Sequence, residues 1–258
     1  MSTRVNRVKE IQQIIKKTAS ITIQKLAAEL DVSKMTIRRD LEQILKDPEI
    51  QLIRGMLIYN HISEPDVESK YSIISASTLN KGIKERIAYK AKSILEPGDT
   101  IIIDAGSTTE LLARIIPKDL NIEVTCFSLN ILNEILKNGS CSVTLPGGKF
   151  HCSSMIFQSR EGIELLKKTR VKKAFISAYG VNLRLGVTCS ADFERELKRT
   201  ALNSAEQRIL LVDSSKFGKV TNIHFADLED FDTIVTDNQL PDNIVTEIRN
   251  RGITLHIV

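Results

Sequence analysis

Between Thr100 and Val258, short apolar runs alternate with stretches of helical period, and this alternation constrains the chain more than any other feature. Runs suited to buried strands fall at 100–103 (TIII), 122–127 (IEVTCF), 141–145 (CSVTL), 173–178 (KAFISA), 208–212 (RILLV), 233–236 (TIVT) and 253–258. Helical segments lie between most of them, at 108–116, 129–137, 159–169, 190–205 and 242–251. Pro117 closes the first and Gly252 the last. Strands separated by helices pack as a mostly parallel sheet covered by helices, an α/β fold. A further helical pattern, Ile83 to Leu95, ends at Pro97-Gly98-Asp99 just before the first run.

Such a sheet gathers the loops that follow its strands at one edge, where ligands bind. Reading past the runs gives Asp104-Ala-Gly-Ser-Thr-Thr, Ser128-Leu-Asn130, Pro146-Gly-Gly148, Tyr179-Gly180 and Asp213-Ser-Ser-Lys216. Glycine and hydroxyl residues let backbone N–H groups approach an anion, and a helix start adds its dipole. Asp104 to Thr109 is the best placed of these loops, because a strand precedes it and a helix follows. It is neither a Walker loop nor the dinucleotide G-x-G-x-x-G fingerprint. Lys216 is the one cation in its loop, suited to neutralising a phosphate. Glu194 and Lys198, four apart, read most simply as an ion pair on a helix surface.

The first sixty residues read differently. Val5, Val8, Ile11, Ile14 and Ile15 place a helix over Arg4 to Lys17. Thr22 is a plausible cap for a second, Ile23 to Leu30, and Ser33 for a third, Lys34 to Leu45. On the third, Ile37, Leu41, Ile44 and Leu45 are expected to point inward. Ser33, Lys34, Met35, Thr36, Arg38 and Arg39 occupy its first turns. A helix of that width fits the DNA major groove, where Arg bridges guanine and Thr or Met methyls meet thymine. Ser33 and Thr36 hydroxyls and the helix dipole suit a phosphate. Leu52-Ile53 and Leu57-Ile58 fit a hairpin around Arg54-Gly55.

Charge follows the same division. Residues 1–60 hold 11 Lys+Arg and 7 Asp+Glu, whereas the remainder holds 25 of each, so the whole net charge of +4 sits in the first quarter. A basic headpiece facing a polyanion, joined to a neutral larger part, is the expected organisation. The longest uncharged stretch, Asn138 to Gly148, is eleven residues, too short for a membrane span of about 18 or more. Arg4, Arg7, Lys9 and Glu10 interrupt any apolar start, so neither signal peptide nor membrane is expected, and a cytoplasmic location is. Cys126, Cys141, Cys152 and Cys189 form no C-x-x-C pair, and buried reduced thiols without a metal site are expected.

The stretch V-S-K-M-T-I-R-R-D-L (32–41) closely resembles the signature of the deoxyribose-operon repressor (DeoR) family of bacterial regulators. D-A-G-S-T-T, P-G-G-K, A-Y-G-V-N…G-V-T and D-S-S-K-F-G resemble successive hallmarks of that family's sensor domain, so the resemblance spans nearly the whole chain. It implies a winged helix-turn-helix over 1–60, a linker over 61–82, and an effector-binding and oligomerisation domain over 83–258, similar in fold to ribose-5-phosphate isomerase. The helix carrying Arg38 and Arg39 would be the recognition helix, with Arg54 in the wing. That wing departs from the family pattern in lacking its His and second Gly. Asp104, Gly106, Ser107, Thr108 and Thr109 would hold phosphate and sugar hydroxyls, with Gly147, Gly148 and Lys216 completing the pocket. The implied partners are a double-stranded operator, a phosphorylated sugar effector and further copies of the chain, as dimer or tetramer, with no cofactor.

The alternative is a sugar-phosphate isomerase with an appended DNA-binding module. Enolisation needs a carboxylate base near the carbon-bound proton and a donor or cation at the carbonyl oxygen. The isomerases this domain resembles carry an acid-rich segment after a central strand, but Ala178 to Thr188 contains no Asp or Glu. A regulator of sugar metabolism genes, binding without turnover, is therefore expected.

Overall fold

The computed structural model describes residues 4–18, 20–45, 47, 50–53, 56–59, 73–139 and 142–258. The chain divides into two compact units, Met1–Asp66 and Val67–Val258.

The first unit runs α1 (Arg4–Thr18), β1 (Ser20–Thr22), α2 (Ile23–Glu29), α3 (Lys34–Ile44), β2 (Ile50–Ile53) and β3 (Met56–Tyr59). Thr22 starts α2 by accepting from Lys25 N at 3.1 Å, and Ser33 starts α3 by accepting from Thr36 N at 3.1 Å. Each hydroxyl satisfies an N–H that the helix cannot. Asp31 turns the chain between them with a left-handed φ of 48°. β2 and β3 pair antiparallel in a register joining Ile53 to Met56, the hairpin read around residues 54–55. β1 pairs with β3 to give the order β1-β3-β2, a third strand the apolar pattern did not signal. Val8, Ile11, Ile15, Leu26, Ile37, Leu41, Ile44 and Leu57 close the core. Leu45 corrects the inward reading of α3: it is 41% exposed, because the helix ends at Ile44 and the chain turns away.

The second unit opens with α4 (Ile73–Thr78) and α5 (Lys81–Lys92), so the segment read as a linker, 61–82, carries α4 and the first residues of α5. There follow β4 (Thr100–Ile103), α6 (Ser107–Arg114), β5 (Glu123–Cys126), α7 (Leu129–Asn138), β6 (Ser142–Thr144), β7 (Lys149–His151), β8 (Ile156–Gln158), α8 (Arg160–Lys168) and β9 (Val171–Ile176). Next come β10 (Gly180–Asn182), β11 (Gly186–Thr188), α9 (Asp192–Asn203), β12 (Ala205–Leu211), β13 (His224–Ala226), β14 (Thr233–Thr236), α10 (Asp242–Asn250) and β15 (Thr254–Ile257). Seven strands form one parallel sheet in the order β15-β14-β12-β9-β4-β5-β6.

Alternate residues of each strand serve opposite faces. Ile102, Ile176, Leu210 and Ile234 pack under α8, α9 and α10, while Ile101, Ile103, Phe175, Leu211 and Val235 pack under α5, α6 and α7. Both faces are covered, which is why these strands read as continuous apolar runs. The order rises through β4, β5 and β6 on one side and then returns to β9 on the other. The crevice outside β4 and β9 is thus the topological switch point, where a sheet of this kind presents a ligand site.

Candidate functional sites

At that switch point β4 ends in Asp104 and β9 is followed by Ser177. Asp104 is wholly buried, and its Oδ2 accepts from Ser177 N and Ser177 Oγ, both at 2.8 Å, and from Lys198 Nζ. Lys198 also donates to Ser177 O at 3.1 Å and lies 5.4 Å from the centre of the Phe225 ring. Burial works against its charge, but Asp104 and Glu194 outweigh burial and hold the ammonium above its ordinary pKa. The surface-pair reading of Glu194 and Lys198 is therefore corrected. Both are buried, because α9 turns the face bearing Glu194, Leu197, Lys198 and Ala201 onto the sheet. Glu194 Oε1 accepts from Ser190 Oγ at 2.6 Å, and burial pushes its carboxyl above the usual range.

The loop after Asp104 is built for close approach. A Cβ on Gly106 would lie 2.6 Å from Ser177 Oγ and 2.7 Å from Ser177 Cβ, so only glycine lets the two loops meet. Thr109 is buried, its Oγ1 donating to Asp104 O at 2.7 Å, so it staples the loop rather than facing outward. α6 then starts at Ser107 with no side chain capping its first N–H groups.

Opposite this helix start stands Lys216, half-buried and 5.7 Å from the centre of the Tyr179 ring. Burial lowers its pKa, opposed by the charge of Asp213. Asp213 Oδ1 is occupied by Ser215 N at 3.1 Å, Ser215 Oγ and Asn80 Nδ2 at 3.3 Å. Lys84 of α5, also buried, donates to Ala76 O at 2.5 Å, and burial lowers its pKa too. Neither lysine has a carboxylate at ion-pair distance among the described residues.

Two narrow hollows open here, sharing Ser177 and Ala178. One is bordered by Gly106, Ser107, Thr108, Asp213 and Lys216. The other is bordered by Ile73, Ser154, Tyr179, Ser190, Glu194 and Lys198. The structure thus brings Gly106, Ser107, Thr108 and Lys216 together and sets Asp104 and Thr109 beneath them as supports. It does not bring Gly147 and Gly148 to either hollow. Their φ values of 76° and 124° make the turn into β7, and a Cβ on Gly148 would meet Gln158 O at 2.4 Å. Ser154, Ser177, Ser190 and Lys84 carry no motif and were missed by sequence reasoning.

In the first unit, Ile37, Leu41 and Ile44 of α3 face the core, while Lys34, Met35, Arg38 and Arg39 are exposed, Met35 by 57%. The Ser33 and Thr36 hydroxyls bond each other at 2.9 Å, and Lys34 Nζ donates to Gln24 Oε1 of α2 at 3.1 Å. Buried Asp40 takes Arg7 Nε at 2.6 Å, tying α3 to α1. Arg54 lies outside the described residues.

Among the described residues no group of His, Cys, Asp or Glu is arranged to hold a metal ion. Burial pushes the Cys126 and Cys189 thiols up to about 12, so they stay protonated. Cys152 is exposed, which corrects the expectation of buried thiols for that residue. No helix among the described residues is long and apolar enough to cross a membrane.

Comparison with known proteins matches residues 7–62 to the DeoR-like helix-turn-helix domain and residues 79–238 to the DeoR C terminal sensor domain. The deoxyribose operon repressor of Escherichia coli (strain K12) is 32% identical over 252 residues, 98% of each chain. An uncharacterized HTH-type transcriptional regulator of Haemophilus influenzae is 30% identical over 254 residues, 98% of this chain and 96% of its own. The HTH-type transcriptional regulator IolR of Bacillus subtilis is 25% identical over 254 residues, 98% of this chain and 99% of its own. Among solved structures, ribose 5-phosphate isomerase A of Methanocaldococcus jannaschii overlaps 54% of this chain and 55% of its own, at 17% identity and a TM-score of 0.41.

Proposed function

Because this chain belongs to the DeoR family of transcriptional regulators, we propose that it is a repressor of sugar metabolism genes whose grip on DNA is changed by a phosphorylated sugar. The observation that carries the effector half is the pairing of Lys216 with the uncapped start of α6 in one hollow at the switch point. An oxyanion there gains a cation and free N–H groups together, without displacing an existing ion pair. Gly106, Ser107 and Thr108 contact the phosphate, and Asp104 and Thr109 hold that loop in shape.

The DNA half rests on α3. Arg38 and Arg39 read base edges or phosphates, Met35 and Thr36 add methyl contacts, and Ser33 and Lys34 approach the backbone. A single headpiece spans one half-site, so the working repressor is a homo-oligomer, dimer or tetramer, acting in the cytoplasm on a two-fold operator.

The test is fluorescence anisotropy of the full chain with labelled duplexes from beside its own gene, with and without sugar phosphates. Salt-sensitive binding that one phosphosugar shifts by about 5–150-fold is the expected result, matching a coupling of about 1–3 kcal/mol. Equal affinity for every duplex at every ligand concentration refutes it. A mass in light scattering equal to one chain refutes the oligomer.

A further inference from the structure

The two hollows differ in chemistry. The one at α6 has a cation, Lys216, with no ion-pair partner among the described residues. The other also contains an ammonium, Lys198, but that charge is already matched by Asp104 within hydrogen-bond distance. What the second hollow offers instead is hydroxyl and carboxyl groups. Ser154 is 3% exposed, borders the hollow, and its Oγ has no hydrogen-bond partner. Buried polar atoms are nearly always bonded, so an orphaned hydroxyl on a cavity wall marks a place where something else bonds. Ser190 and Glu194 stand on the same wall, joined by a 2.6 Å bond, and the Ile73 side chain supplies an apolar surface.

We propose that this second hollow is a hydroxyl-reading subsite, which takes the uncharged polyol end of a sugar monophosphate, with Ser154 and Glu194 setting which sugar is accepted. This rests on the reading of the first hollow as the phosphate site. Ser177 and Ala178 border both hollows, so a short ligand reaching across that shared wall would set its phosphate toward Lys216 and its hydroxyls toward Ser154. The charge count fixes the class. Beyond the Asp104–Lys198 pair, which sums to zero, the one other carboxyl or ammonium group on this wall among the described residues is the carboxyl of Glu194. Burial raises its pKa, opposed by Lys198, and its carboxyl group is a hydrogen-bond partner for a sugar hydroxyl. A second phosphate would be desolvated there with no free cation to receive it. The subsite therefore selects monophosphates against bisphosphates.

The experiment titrates the full chain by calorimetry with inorganic phosphate, ribose 5-phosphate, glucose 6-phosphate and fructose 1,6-bisphosphate, for wild type, Ser154→Ala, Glu194→Leu and Lys216→Ala. A monophosphate is expected to bind about tenfold or more tighter than both phosphate and the bisphosphate. Ser154→Ala and Glu194→Leu each weaken that sugar by about fivefold or more while leaving phosphate unchanged, as the loss of one hydrogen bond implies. Lys216→Ala weakens phosphate and sugar alike. Ser154 Oγ makes no internal bond, so its alanine variant keeps the fold. If phosphate binds and no monophosphate binds tighter, or if the bisphosphate binds equally well, the hydroxyl subsite is refuted and the phosphate site stands. Unchanged affinities in both Ser154→Ala and Glu194→Leu refute it as well. If neither phosphate nor any sugar binds, the phosphate site falls, and this proposal with it.

Discussion

Replacing Lys198 with Met tests whether the buried ion pair holds the switch point together. Met keeps much of the aliphatic volume of Lys but removes the charge facing Asp104. Lys198 is 2% exposed and Asp104 0%, so water cannot replace the lost ammonium. Stranding one member of a buried pair costs about 3–5 kcal/mol. Asp104 keeps the two donations from Ser177, at 2.8 Å each, which moves the expectation toward the lower end, about 3 kcal/mol. In a unit of this size each kcal/mol shifts Tm by roughly 2–4 °C, so the transition should fall by roughly 6–12 °C. Thermal unfolding followed by circular dichroism, wild type beside variant, reads this directly. The double variant Asp104→Asn, Lys198→Met removes both charges and leaves an amide oxygen for the Ser177 donors. It should recover most of the loss, because a buried pair replaced as a whole is often near neutral. A single variant that melts within about 2 °C of wild type, or a double variant no better than the single, refutes the reasoning.

Gly106→Ala should cost about 1–3 kcal/mol by denaturant melt and weaken phosphate binding, because its Cβ would displace Ser177 from Asp104; at φ 179° the backbone itself is unstrained, so an unchanged melt would sink the steric account. Glu194 titrates above the ordinary value of 4.5 in the folded chain, chiefly through burial, so the native state binds its proton more tightly than the unfolded one. Stability from this group is full below 4.5 and falls as pH rises through the higher native value; Glu194→Gln should therefore gain on wild type as pH is raised from 4.5 toward neutrality, and parallel pH curves would contradict this. Ser33→Ala removes the 3.1 Å cap of α3 and should lower the stability of the first unit by about 1 kcal/mol, measured by chemical denaturation. Arg38→Ala should weaken operator binding by about 1–3 kcal/mol with relaxed base preference if it reads a base, or reduce the salt slope by about one unit if it holds a phosphate; no change in either quantity removes Arg38 from the interface.

The parallel sheet was legible because its strands are buried on both faces, and TIII at 100–103 or TIVT at 233–236 leaves little else to read. β7 with β8, and β10 with β11 and β13, were not legible. They are three-residue strands, some of mixed exposure, too short to show a period, and β11 meets β13 only at long range, as in Val187 against Ala226. β1 escaped for the same reason, since Ile21 finds its partner at Leu57. The site divides in the same way. Gly106 to Thr108 and Lys216 follow strands and carry composition that stands out. Ser154 and Ser177 are ordinary serines until the sheet brings them to one edge. Lys198 lies between these cases: Glu194 and Lys198 share the i, i+3, i+4, i+7 stripe with Leu197 and Ala201, which is the mark of a buried face. Counting only the charges on that stripe, and not the apolar residues beside them, is what made it look like a surface pair.

The same ion pair bears on why a ligand of the kind proposed for this crevice would be held rather than transformed. Enolisation of a sugar phosphate requires a carboxylate aimed at a carbon-bound proton and a positive charge released to the carbonyl oxygen as electrons move there. The second hollow does bring a carboxyl, Glu194, beside an ammonium, Lys198, which the acid-free stretch 178–188 gave no reason to expect. The ammonium, however, is held on Asp104 and Ser177 O, and the carboxylates of Asp104 and Glu194 keep its pKa raised against burial. Drawing it toward a substrate oxygen would strand Asp104 in the core, at the cost worked out above for Lys198→Met. Elsewhere in this unit many of the cations are likewise bound to carboxylates, as Lys173 is to Asp99 at 2.6 Å and Arg208 to Asp232 at 2.9 Å. Against that neutralised background Lys216 stands out at the switch point, and what it can do without disturbing the fold is attract an anion.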